Sequence, residues 1–101
     1  MSIFNKKSEV SNNNLESVNY KELQVFVIYD QVAKVYGLPV FYENIQVAVR
    51  NFKSLVNKEG NIYNEHSSDF DLVHIGVYNK DTTAFRCIEP VVVVNGFNLK
   101  D

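Results

Sequence analysis

Only one stretch of this chain repeats its apolar residues at helical spacing, and that limits the fold more than any other feature. From Glu43 to about Asn57, the residues Ile45, Ala48, Val49, Phe52, Leu55 and Val56 recur three and four positions apart and form one stripe. Gln46, Arg50, Lys53 and Asn57 occupy the opposite side. Glu43 at the start and Lys58 at the end suit the helix dipole, and Gly60 with Asn61 is a reasonable stop. A single apolar stripe must be buried against something else, and here the remaining apolar segments are extended.

Leu23 to Tyr29, "LQVFVIY", is β-branched and aromatic and reads as a strand. Its apolar residues fall on both faces, which suggests a central strand covered on each side. Asp30 to Ala33 reads as a turn. Lys34 to Phe41 returns as an irregular extended segment, because Pro39 lacks an N–H to give to a ladder and Leu38 before it is pushed away from helical geometry. Asn61 to Asp69 reads as a loop. Phe70 to Tyr78 is a strand with Asp71, Val73, Ile75 and Val77 on one face and Phe70, Leu72, His74, Gly76 and Tyr78 on the other. Asn79 to Thr83 has the length of a hairpin turn, and Ala84 to Ile88 is the returning strand. Glu89-Pro90 breaks it, and Val91 to Val94 is a further short run. The expected fold is α+β, a small, mostly antiparallel sheet with one amphipathic helix on one face. Residues 1–20, rich in Asn, Ser, Lys and Glu, read as a flexible tail; 21–95 form one domain, and 96–101 form a C-terminal tail.

Composition excludes some functions. No apolar run approaches the ~20 residues that cross a bilayer, so no membrane contact is expected. The only cysteine, Cys87, has no internal disulfide partner, and on a strand it reads as a small buried apolar side chain in a reducing compartment. Net charge is -2, against the basic balance usual for phosphate binders. The charge is uneven: residues 21–58 carry net +2 and residues 59–101 net -4, which leaves room for one basic surface.

No catalytic arrangement stands out, no cofactor is implied, and the chain reads as noncatalytic. His66, Asp69, Asp71 and His74 lie close together, but Asp71 and His74 fall on opposite strand faces without tight metal-ligand spacing. No metal site is expected, and a metal-dependent enzyme using His66, Asp69 and His74 is the weakest reading. Nothing sets a histidine base against Cys87. The four glycines are scattered and make no phosphate loop. The remaining candidate is a nucleic-acid interface. Arg50 and Lys53, with Lys34 and Lys58, are positioned to touch phosphates, and Tyr36, Phe41 and Tyr42, just ahead of the helix, are candidate stacking surfaces for single-stranded bases, Tyr36 and Tyr42 foremost. The plain alternative is a solvated helix face and packed tyrosines.

Segment by segment, "VIYDQVAKVYGLPVFYEN", "AVRNFKSLVN" and "HSSDFDLVHIGVYNKDTTAF" resemble the small nonstructural protein of gokushoviruses, microviruses with circular single-stranded DNA genomes. The shared pattern has a strand ending in Tyr29-Asp30, a Leu38-Pro39-Val40-Phe41 segment and a helix with Ala48, Arg50 and Phe52. After these come His66 with Asp69 and Phe70, an Ile75-Gly76 pair, and the acidic turn Asp81-Thr82-Thr83. The family's proline after the histidine is Ser67 here, and its tyrosine after the aspartate is Phe70. The resemblance spans about residues 25 to 90. It implies a non-virion protein in the host bacterial cytoplasm, binding single-stranded DNA or the viral replication complex during DNA synthesis or packaging. A homodimer would partly offset the low charge. The rival reading is a protein-interaction adaptor for the replication initiator, the procapsid or a host factor.

Overall fold

The computed structural model describes residues 21–101. The expected N-terminal tail lies outside them. The elements are β1 (Glu22–Asp30), β2 (Val35–Tyr36), β3 (Val40–Tyr42), α1 (Ile45–Val56), a short α2 (Ile62–Glu65), a 3-10 turn (Ser67–Asp69), β4 (Phe70–Asn79), β5 (Phe85–Asn95) and a last 3-10 turn (Gly96–Leu99). They form the expected α+β fold. One antiparallel sheet runs β2-β1-β4-β5, and β3 pairs the same edge of β1 as β2 does, nearer the start of that strand.

Asp30 builds the turn after β1. Its carboxylate accepts from the N–H groups of Val32 (3.0 Å) and Ala33 (3.1 Å), and Lys34 closes the turn at φ 60°. Gly37 N–H still donates to the Ile28 carbonyl at 2.8 Å, and Leu38 and Pro39 then carry the chain past the middle of β1 unpaired, so this edge is split into two short strands.

Asn44 caps α1, its side chain accepting from Val47 N–H at 2.9 Å, so Glu43 lies ahead of the helix rather than in its first turn. Ala48, Phe52 and Val56 are buried and pack with Phe26, Phe70 and Leu72 of the sheet. The helix ends at Asn57, earlier than Gly60 suggests. The Asn57 amide donates to the Lys53 and Leu99 carbonyls, both at 2.9 Å. Asn61 then caps α2 by accepting from Asn64 N–H, so the expected loop over 61–69 is a helical turn followed by a 3-10 turn.

Two bulges change the sheet. Val25 pairs with Gly76 but Phe26 pairs with His74, leaving Ile75 as an extra residue. Beyond it the two faces of β4 exchange. Phe70, Leu72, His74 and Val77 share the helix-covered face, and Asp71, Val73, Gly76 and Tyr78 share the other. The expected grouping of Ile75 and Val77 with Asp71 and Val73 is therefore corrected. In β5, Val93 is the extra residue, which lets Val93 and Val94 both reach the helical core. Glu89-Pro90 does not end β5. Residues 88–90 swing out opposite Ile75, and the edge position tolerates the missing N–H. The expected tail at 96–101 is also corrected, because Leu99 packs on the core and Asp101 N–H donates to Asn57 Oδ1 at 2.9 Å.

β1 is central, as its two apolar faces imply, but the described helices cover one face only. Val25, Val27 and Val73 are nevertheless buried at the centre of the helix-free face. Aromatic side chains flank them there.

Candidate nucleic-acid interface

The face a β1 residue belongs to follows from alternation, and directly paired residues share it. Tyr29, Val25 and Leu23 therefore share the helix-free face with their partners Tyr36, Phe41, Gly76 and Tyr78, and with Phe85 opposite Tyr78. Two aromatic groups result. Tyr29 and Tyr36 have ring centroids 4.5 Å apart. Phe41 packs edge-on against Tyr78 at 5.6 Å and Phe85 at 6.4 Å. Phe85 also lies across Gly76, where an added Cβ would come within 2.9 Å of the ring. Gly76 thus leaves room for the Phe85 ring and for the Arg86 carbonyl oxygen, which a Cβ would approach to 2.8 Å. Tyr36, Phe41 and Phe85 remain 58%, 43% and 46% exposed, so each offers ring surface to solvent.

The residues expected to form one site are dispersed. Arg50 is exposed on the outer side of α1. Lys53 lies 3.5 Å from Asp101, which the Asn57 anchor brings onto the same helix, so part of its charge is met within the chain. Lys58 is exposed beyond the helix. Lys34 sits in the β1–β2 turn, two residues from Tyr36, so these two share one corner. Tyr42 pairs with Gln24 and lies under the helix, its ring 6.1 Å from Phe26, whereas Tyr36 is on the opposite face. The two tyrosines therefore do not form one stacking surface, and Tyr42 contributes to the core. Of the three stacking candidates ahead of the helix, Tyr36 and Phe41 lie on the helix-free face and Tyr42 does not; Phe85, Tyr29 and Tyr78 join that face without having been singled out as site residues by the sequence. Strand alternation carried the signal, since neighbours such as Phe41 and Tyr42 must face opposite sides.

The other titratable candidates have structural partners. Asp71 is buried on the helix-free face, its two oxygens accepting from Gln31 Nε2 and Asn95 Nδ2, each at 2.9 Å. His74 is on the helix side, stacked 5.0 Å from Phe26 with Nε2 2.9 Å from Gln24 Oε1. Among the described residues, no three His, Cys, Asp or Glu side chains gather as a metal site. Cys87 is exposed on the edge strand rather than buried, because it pairs with Gly76 at the rim of the sheet. No described helix is long and apolar enough to cross a membrane.

Desolvation by burial holds the His74 pKa below its ordinary 6.5, outweighing its hydrogen bond to the Gly76 backbone, which acts in the other direction. The unfolded imidazole therefore takes up a proton before the folded one does. Stability present above pH 6.5 is lost as pH falls through that value toward the lower folded pKa. Urea midpoints measured at about pH 7.5 and about pH 5.5 are expected to differ less in His74→Gln than in the parent protein. Equal pH dependence in the two proteins would show that His74 is not responsible.

A family model described as "Phage ORF5 protein" matches residues 23–99, well over half of the chain. No curated protein and no solved structure matches. The match covers the described sheet apart from Glu22, both described helices and all of the last 3-10 turn, and on that extent the chain belongs to the Phage ORF5 protein family.

Proposed function

We infer that this phage protein is a noncatalytic, gokushovirus-type nonstructural protein that binds single-stranded DNA during viral DNA replication in the host bacterial cytoplasm. The helix-free sheet face supplies the stacking surface. The observation that carries this reading is the placement of Tyr36, Phe41 and Phe85 on that face, each with ring surface open to solvent. Partly exposed aromatic rings on a sheet face suit unpaired bases, because every base has a π-face and stacking needs no sequence match. The net charge of -2 fits a site in which stacking outweighs phosphate contacts. Lys34 is the cation nearest Tyr36 along the chain, while Arg50, Lys53 and Lys58 offer a separate, weaker basic surface along and just beyond α1.

The test is fluorescence anisotropy of a labelled single-stranded oligonucleotide titrated at low and moderate salt. Binding is expected, with a shallow salt slope set by one or two phosphate contacts. No binding at low salt would remove the reading. Reversing the helix charges with Arg50→Glu and Lys53→Glu is expected to change affinity less than truncating the aromatic face. A larger loss from the charge reversal would move the site to α1.

One observation favours the adaptor reading. Among the described residues no strand pairs the outer edge of β5, where Val91 and Val92 are each more than half exposed, a surface suited to strand addition by a protein partner. Direct binding of the replication initiator or a procapsid protein, without DNA binding, would establish it.

A further inference from the structure

Asn95-Gly96 is the only asparagine–glycine pair in the sequence, and the fold demands both residues for separate reasons. Asn95 ties three segments together. Its Nδ2 donates to the Ser68 carbonyl (2.9 Å), to Asp71 Oδ1 (2.9 Å) and, at 3.4 Å, to the Phe70 carbonyl. Its Oδ1 accepts from Phe97 N–H at 3.0 Å and starts the last 3-10 turn. Gly96 is buried, and a Cβ there would run into the Ser67 carbonyl oxygen and come within 3.3 Å of Val56 Cγ2. The tertiary structure thus requires a dipeptide that is chemically fragile when unfolded. With no side chain on glycine, its backbone nitrogen has free access to the preceding asparagine's amide carbon.

We propose that Asn95 is a deamidation site that is closed in the folded protein and open in the unfolded chain, and that its modification prevents return to the fold. In the open chain the Gly96 nitrogen attacks Asn95 Cγ and loses its proton. Ammonia leaves carrying the side-chain nitrogen, and a succinimide forms. Water then opens the ring to an aspartyl or isoaspartyl linkage, with no change of oxidation state. In the fold, Oδ1 is held on Phe97 N–H and Nδ2 on three acceptors, so the amide is not free to turn toward Gly96. After modification the donors to Ser68 and Asp71 are gone. A new carboxylate faces the Asp71 carboxylate, where a hydrogen bond of 2.9 Å had been. Gln31 still donates to the other Asp71 oxygen but brings no positive charge to offset the pair.

The full chain is incubated at mildly alkaline pH with and without urea, and the peptide containing Asn95 is followed by mass spectrometry. The folded protein is expected to react at least about 100-fold more slowly, since reaction requires opening of β5 and the last turn. After urea removal, the modified fraction is expected not to recover the near-ultraviolet circular dichroism of its tyrosines. Similar rates in folded and unfolded protein, or full recovery by modified chains, would overturn the proposal. Asn95→Asp alone is expected to lower the urea midpoint sharply or abolish folding. Combined with Asp71→Asn, which restores one amide opposite one carboxylate, it is expected to regain part of the loss. An unchanged midpoint in the single variant, or no rescue in the pair, would show that the opposed carboxylates are not what bars refolding.

Discussion

Combining Phe41→Ala with Phe85→Ala is expected to weaken single-stranded DNA binding by about 30-fold or more, while the far-ultraviolet circular dichroism stays the same. The size follows from stacking, worth about 1–3 kcal/mol per base when an aromatic side chain is removed, taken over two rings. Both rings are partly exposed, and neither belongs to the helical core, so the fold has little to lose. Phe85 has a second role as the cover over Gly76, so Phe85→Leu is the useful control. Leucine keeps apolar cover on the glycine backbone but removes the flat π-face. If Phe85→Leu binds as weakly as Phe85→Ala alone, stacking is the lost interaction. If the double alanine variant binds as well as the parent, the helix-free face is not the DNA site, and the exposed edge of β5 becomes the surface to examine.

Phe52→Ala is expected to cost about 3–5 kcal/mol, the usual range for emptying a buried phenylalanine site. Phe52 is 3% exposed on the inner face of α1, packed with Phe26, Ala48, Val56, Phe70 and Leu72. The cavity cannot collapse easily, because the sheet is held on its far side by the Val25, Val27 and Val73 layer. A domain of this size has about 5–15 kcal/mol in total, and each kcal/mol moves Tm by about 4–8 °C. Thermal melts should therefore show a fall of more than about 12 °C or no cooperative transition at all. Ser54→Ala, on the exposed side of the same helix, should stay within about 0.5 kcal/mol of the parent. A fall of under about 5 °C for Phe52→Ala would mean that α1 contributes far less to the core than its burial implies.

These two experiments separate the faces of one sheet. The side under α1 carries stability, and the side without a helix carries the proposed recognition. His74 belongs to the first group through Phe26 and Gln24. Asp71 and Asn95 hold the end of the second, near the β1–β2 turn that presents Lys34. The same end carries the Asn95-Gly96 pair, so the integrity of the sheet face and the covalent lifetime of the chain are linked at one point.

Much of this was legible in residue order. The spacing of Ala48, Phe52 and Val56 specified one helix and its buried side, because a 3.6-residue period admits no other regular element. The β-branched and aromatic runs specified the strands, and Asp30, Gly37 and Pro39 specified where the first edge breaks. The small α2 turn was legible in principle, since Asn61 stands three residues before the Asn64 N–H it accepts from, but a four-residue helix carries no periodicity of its own.

The arrangement of the site depended on the tertiary structure. Strand alternation assigns a face only as long as the register continues, and the extra residue Ile75 reverses the assignment for the rest of β4. That reversal puts Tyr78 over Phe41 on the helix-free side, and pairing across the hairpin adds Phe85. Tyr36 and Tyr42, six residues apart, end on opposite faces because the chain skips along β1 between the strands that carry them. Local preferences therefore determined which elements form, since they act over a few neighbouring residues. Which side chains meet was decided by pairing between distant strands, where a single added residue changes the face of every residue that follows.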